Sequence, residues 1–190
     1  DELRKVEEEK RIEQARLDAE RAIANENARI KQALDNVSAN VMVADKDLNI
    51  VYMNDAVRKM MGNAERDIQK ELPVFRVDTL MGTNIDLFHK NPAHQRRLLL
   101  NQTSNVQSTF LLGGRTLSVN ANAVRDAGNE RIGTVVEWKD RNEEVAIENE
   151  IRTIIEQAAA GNLSMRATEA DRSGFFLAMS RGLNRLMNIC

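Results

Sequence analysis

The sequence predicts an α+β fold, a five-stranded antiparallel sheet with short helices on one face, flanked by long helices at its amino and carboxyl ends. Three observations predict it. Short β-type runs bounded by turn residues fill residues 37–140, two before and three after a helical middle, and strands that bracket helices in this order build an antiparallel sheet covered on one face. Residues Asp1 to Leu34 contain neither Gly nor Pro and are rich in Glu, Ala, Arg and Lys, the composition of a solvent-exposed helix. Beyond Asp140 the helical texture returns.

In the first helix a heptad register runs from Ile23, with Ile30 and Val37 at the same core position and Asn27 and Leu34 at the other. Traced backwards it meets Arg16 and Glu20, so it spans about two heptads. The register predicts a helix that pairs with a second copy, Asn27 fixing its alignment; a solvated helix with Asn27 facing water fits the same residues. NVMVAD, the polar turn DKDLN and IVYMN then read as a hairpin. DAVRKMMG, AERDIQKEL and PAHQRRLLLNQ, separated by Gly, Pro and a loop, read as short helices. Three extended segments follow, about Asn105 to Leu112, Arg115 to Val124 and Arg131 to Lys139, divided by GG and DAGNE turns. EEVAIENEIRTIIEQAAA reads as a helix stopped by Gly161, and the linker NLSMRATEADRSG leads to the amphipathic FFLAMSRGLNRLMN. Helix, connector, helix is the plan of a small parallel bundle. The predicted units are 1–36, an N-terminal helix or coiled coil; 37–142, the α+β domain; and 143–190, the exit helix and helix-connector-helix.

Composition narrows the function. With 190 residues, 42% of them hydrophobic, the chain builds one core. Its 27 basic and 29 acidic side chains nearly cancel, so no global field points to nucleic acid or to an anionic membrane surface. The single cysteine, Cys190, excludes an intramolecular disulfide and a cysteine-based metal cluster, and a reducing, cytoplasmic setting is expected. No apolar run reaches the roughly 18 residues of a membrane span, so no direct membrane contact is expected of this fragment. The chain opens on DELRKVEEEK and stops at NRLMNIC, both helical in texture, and is expected to continue into a longer protein with room for a membrane anchor upstream. No GxSxG, phosphate loop, Rossmann glycine pattern or HExxH helix occurs, so the sequence carries no recognisable catalytic constellation and an enzyme is not expected.

The phrase NVMVADKDLNIVYMN, followed by a short helix after Asn54, resembles the opening of a PAS domain. More specific are NIDLFHKNPAHQRRLL, from Asn84 to Leu99, then GGRTLSVNANAV and GTVVEWKDR. Together these resemble the haem-containing PAS domain of bacterial aerotaxis receptors, a branch of the methyl-accepting chemotaxis proteins. The likeness covers about Val37 to Asp140, and residues from about Ile147 to Asn188 resemble the HAMP unit of such receptors. Two departures stand out. The exit motif, usually Asp-x-Thr, reads Asp140-Arg141-Asn142, and the second HAMP-like helix begins DRSGFF without the usual Glu. The resemblance implies haem b as cofactor, O2 or another diatomic gas as ligand, a homodimer joined through its helices, and a downstream chemotaxis signalling module.

Only two histidines occur, His89 and His94. A five-coordinate haem iron needs one neutral imidazole, leaving its sixth position for O2, CO or NO. By resemblance that ligand is His89. From the residues alone, a His beside a Lys-Asn-Pro turn also reads as a cap or surface residue, and the i, i+5 spacing of the pair does not suit zinc. In the last strand, alternation sets Ile132, Thr134, Val136 and Trp138 on one face. Trp138 reads as core by itself; by resemblance its indole N–H is the donor to the distal ligand. Leu117, Val119, Ala121 and Ala123 form the inward set of the preceding strand, and their small members leave space for a flat cofactor, Val119 lining it, or for a methionine such as Met53, Met60 or Met61. Ser118, Asn120 and Asn122 face outward. Lys90, Arg96 and Arg97 are of the type that pairs with propionates or is simply solvated. Two alternatives stay open: a cofactor-free PAS that dimerises and relays strain, and a PAS that binds FAD or another small molecule. Covalent flavin photochemistry is disfavoured, since Cys190 lies outside the domain.

Overall fold

The structure, a computed structural model, describes residues 2–100, 105–170 and 172–189. Asp1, Asn101, Asp171 and the lone cysteine Cys190 lie outside the described residues. Helix α1 runs from Glu2 to Asp35. Its ion pairs, such as Arg16 with Glu13 at 2.7 Å, are exposed, and pairs of this kind add only a few tenths of a kcal/mol each. Ile23 and Ile30 are exposed. Val37 falls beyond the helix end, so the third turn of the predicted heptad register is not helical.

Strands β1 (Asn40–Asp45), β2 (Ile50–Met53), β3 (Val106–Leu112), β4 (Arg115–Arg125) and β5 (Arg131–Asp140) form an antiparallel sheet in the order β2-β1-β5-β4-β3. The hairpin turn is not taken by its Asp and Asn residues alone. Leu48 adopts φ 71°, a left-handed conformation that costs a residue with a Cβ about 1–2 kcal/mol. Its side chain is fully buried, and burying a leucine returns about 1.5–3 kcal/mol, so burial wins. Ile132 departs from the predicted inward set. Val124 pairs with Gly133 and Arg125 with Arg131, which leaves Ile132 as the extra residue of a bulge, 51% exposed. Thr134 is buried, with Val136 and Trp138 half-buried on the same face.

Two predicted helices are one. Helix α2 (Asp55–Ile68) continues through Gly62 because Val57, Met61, Ala64 and Ile68 make a single buried stripe, and its packing outweighs the roughly 1 kcal/mol a helical glycine costs. The stripe packs on Met42, Ile50, Met53 and Leu117 of the sheet, with Phe75 and Leu80. Two 3-10 turns follow, Val77–Thr79 and Ile85–Phe88, then helix α3 (Pro92–Leu100).

Asn54 ties α1 to this domain. Its buried Oδ1 accepts the N–H groups of Val41 and Val57, both at 3.0 Å, while Nδ2 donates to the carbonyls of Leu34 at 3.0 Å and Ala39 at 2.7 Å. Nearby the Tyr52 hydroxyl donates to Asp35 at 2.6 Å; burial, then this carboxylate, push its pKa above the ordinary value. Asn54→Ala removes a helix cap and leaves main-chain groups without partners. A loss of about 3 kcal/mol is expected, read as a lower urea midpoint with unchanged slope; an unaltered midpoint would refute the tie.

At the other end, Asp140 Oδ1 accepts the Asn142 N–H at 2.9 Å and Oδ2 meets Arg115 at 2.6 Å. Asp140 thus binds the first N–H of helix α4 (Asn142–Ala159), while its N-cap residue, Arg141, makes no side-chain capping bond. A connector leads to helix α5 (Gly174–Ile189). Ile154, Ala167 and Met187 form a second core with Leu163, Met165 and Leu183. Glu150 takes the Thr168 N–H and hydroxyl at 2.7 and 2.8 Å and pairs with Arg172, which reaches Ser180 at 2.6 Å. Burial raises the Glu150 carboxyl, but these bonds prevail and hold it below the ordinary range. Among the described residues no helix is long and apolar enough to cross a membrane.

Candidate functional site

His89 ends the 3-10 turn Ile85–Phe88. The turn forms because Asn84 caps it, its Oδ1 accepting the Asp86 N–H at 3.1 Å, and it cannot run on into Asn91-Pro92, since the residue before a proline avoids helical angles. Ile85 and Phe88 seat it on the main core, where Phe88 meets the Phe75 ring edge-on at 5.7 Å. The His89 Nδ1 lies 2.7 Å from the Ile85 carbonyl oxygen. A carbonyl only accepts, so in the neutral ring Nδ1 carries the proton and Nε2 keeps its lone pair. That is the form in which an imidazole binds a metal. His94 is exposed on α3, its backbone N–H bonded to Asn91.

Helix α3 is tied back to this turn by Arg96, whose two nitrogens reach Asp86 Oδ2 at 2.8 and 2.6 Å. Arg96 is therefore engaged within the protein, while Lys90 and Arg97 are exposed. Asp86 Oδ1 is buried and has no hydrogen-bond partner among the described residues.

Trp138 stands on β5 directly opposite Val119 of β4 and Asn40 of β1. Its ring meets Phe110 edge-on at 6.3 Å and borders the same core as Ile85 and Phe88. Its Nε1 is buried without a hydrogen-bond partner among the described residues, a state that costs about 1–3 kcal/mol. The inner face changes character along β4. Leu117 is sealed beneath α2 and Ala121 is buried, but Val119 and Ala123 are only half-buried. The fold thus brings the His89 turn, through Ile85 and Phe88, and Trp138 to one apolar core, pairs Val119 with Trp138 across the strands, and leaves His94 exposed. The predicted outward residues Ser118 and Asn120 line an open groove of about 430 Å³ with Glu137, Lys139 and Arg141, and Val119, predicted to line the inner pocket, also borders this groove.

Asn84, the Ile85 carbonyl and Asp86 are absent from the residues that the sequence singles out. The capping spacing of Asn84 and Asp86 is a signal for the first. A backbone acceptor four residues before a histidine has no side-chain signature.

Residues 28–92 match the family model of the PAS domain. The structure also superposes on the Aer2 receptor of Vibrio cholerae, described as a dual PAS-heme oxygen sensor, with a TM-score of 0.50 and 35% identity, covering 54% of this chain and 93% of that one. The chain belongs to the PAS family. Over 170 residues this PAS-containing chain is 53% identical to the methyl-accepting chemotaxis protein McpB of Pseudomonas aeruginosa, covering 90% of this chain and 25% of that protein. It therefore spans about a quarter of the length of that relative and is homologous to part of a chemotaxis receptor. Within the PAS domain, the His89 turn and Trp138 border the core on the helix-covered face of the sheet.

Proposed function

We propose that this chain is the gas-sensing unit of a chemoreceptor, in which the PAS domain holds haem b through His89 and offers the Trp138 N–H to a diatomic ligand, O2 foremost. The observation that carries the reading is the buried Trp138 Nε1 with no acceptor among the described residues: a donor buried at a cost without a partner among them fits a site whose acceptor arrives from outside. His89 suits the group because its Nδ1–H is committed to Ile85, and Val119 lines the face beside the indole. The description of the Vibrio cholerae relative, 35% identical, supports the same reading. Haem, when bound, would supply an iron able to take up O2, CO or NO. His89 would hold it through its imidazole, Val119 would offer an apolar wall and Trp138 one hydrogen-bond donor.

The signal is passed on from β5 through Asp140 to α4 and the HAMP-like pair of helices, with α1 and its counterpart in a second copy forming the dimer. Such a switch requires the ligand to bind one helix arrangement better than the other. The domain division at 36/37 and 142/143 belongs to this proposal.

The test is spectroscopic. Added haem is expected to give a stoichiometric Soret band, and a colourless, haem-indifferent protein would overturn the reading in favour of a cofactor-free relay. Trp138→Leu should then speed O2 release by roughly 10–100-fold, the worth of a hydrogen bond in an apolar pocket, and CO release far less, because CO gathers less negative charge. Equal effects on both gases would assign Trp138 to packing alone.

A further inference from the structure

We infer that Asn84 is a positioning residue for His89: it mounts the histidine-bearing turn on the β1–β2 turn and thereby holds the His89 ring in the Nδ1–H form. The polar chain between the two is continuous. Asp45 Oδ1 shapes the β1–β2 turn by accepting the N–H groups of Asp47 and Asn49, both at 2.9 Å, and Asn49 Nδ2 donates to Oδ2 at 3.0 Å. Asn84 Nδ2 spends its two hydrogens on that turn, one on the Asp47 carbonyl and one on Asn49 Oδ1, each at 2.9 Å. Its Oδ1 accepts the Asp86 N–H at 3.1 Å. Between them the Ile85 N–H donates to the Leu48 carbonyl at 3.0 Å, and the Ile85 carbonyl accepts from His89 at 2.7 Å. Ile85 is thus held at its N–H by the hairpin while its carbonyl orients the ring.

The mount is rigid for a physical reason. Leu48, whose carbonyl anchors Ile85, is fully buried and locked in a left-handed conformation, and Asn84 and Asn49 also form an isolated bridge. If Asn84 lets go, the turn keeps its Ile85 N–H bond to Leu48 but loses its three side-chain bonds, the Ile85 carbonyl is held less firmly and the neutral ring can carry its proton on either nitrogen. A proton on Nε2 blocks that nitrogen as a ligand. That the prepared ring binds iron rests on the function proposed above; the tautomer does not.

The experiment reads the tautomer first, by nitrogen-15 NMR of the His89 ring in haem-free protein. Wild type is expected to show Nδ1–H, and Asn84→Ala a mixture with Nε2–H. Asn84→Asp keeps the acceptor for the Asp86 N–H but cannot donate to Asp47 or Asn49, so it should lose the Nδ1–H form equally; Asn84→Ser, which also keeps a cap oxygen and adds no charge, replaces any variant that melts out. Retention of Nδ1–H in both folded variants would overturn the inference. Haem titration follows, with affinity expected to fall about 10–100-fold in each variant, as for other groups that orient a ligating histidine, and to be unchanged in His94→Ala. A tautomer that shifts in a protein indifferent to haem sinks the haem reading and leaves the positioning role intact. Wild-type haem binding that depends on His89, with a tautomer unmoved by either variant, does the reverse.

Discussion

Replacing His89 by alanine is expected to abolish the Soret band completely, whereas His94→Ala leaves it in place. The effect is large because the chain has two histidines and a single cysteine, Cys190, so few side chains can take over as axial ligand. The structure separates the two histidines by their surroundings. His89 is half-buried, follows a turn packed on the core and has one nitrogen already committed to a carbonyl. His94 is exposed on α3, where an iron would leave the apolar face and forfeit the exclusion of water that favours reversible gas binding. If the band survives in His89→Ala and vanishes in His94→Ala, the ligand assignment is wrong although gas sensing stands. Circular dichroism of both variants guards against a trivial loss of fold.

Gly113→Ala is expected to remove about 4 kcal/mol of stability, a large share of the roughly 5–15 kcal/mol that holds a folded domain together. Gly113 sits in the β3–β4 turn at φ 61°, where a residue with a Cβ pays about 1–2 kcal/mol. The space is closed as well. A Cβ there would lie 1.9 Å from the Asp67 carbonyl oxygen and 2.3 Å from its carbon, both backbone atoms at the end of α2, so relief requires moving the helix or the turn, at a further 1–3 kcal/mol or so. The Gly113 N–H also donates to Glu71 at 2.7 Å, a bond that movement would break. The measurement is the thermal midpoint, which should fall by roughly 10 °C. Gly114, where a Cβ would meet nothing within 4 Å although φ is 85°, provides the comparison: Gly114→Ala should cost only the conformational part. Equal losses at the two positions would show that the contact with Asp67 carries no weight.

Much of the fold is legible in the sequence itself. The hairpin of β1 and β2, the GG and DAGNE turns and the helices at both ends are local features, and each follows from turn chemistry or periodicity acting over a few residues. Local rules fail where they meet a distant partner. Gly62 marks a break in the pattern, yet the buried stripe of α2 against Leu117 and Met53 carries the helix through it. Alternation puts Ile132 inside, yet the mismatch with β4 makes it the bulge residue. The heptad pattern includes Val37, which lies outside the helix because the chain there is already held by Asn54 through Leu34 and Ala39.

The candidate site divides in the same way. By itself the sequence determined the inventory: two histidines in one segment, one tryptophan in the last strand, and small residues on the strand before it, all consequences of composition and a two-residue period. Only the tertiary structure decided which of them share a core, which nitrogen of His89 carries the proton, and that the Trp138 N–H is buried without a partner among the described residues. The reason is physical. Those properties depend on hydrogen bonds and packing between residues far apart in the chain, such as Asn84 with Asp47 and Trp138 with Val119, and a local sequence pattern carries no information about which distant group will fill, or leave empty, the place beside a polar atom.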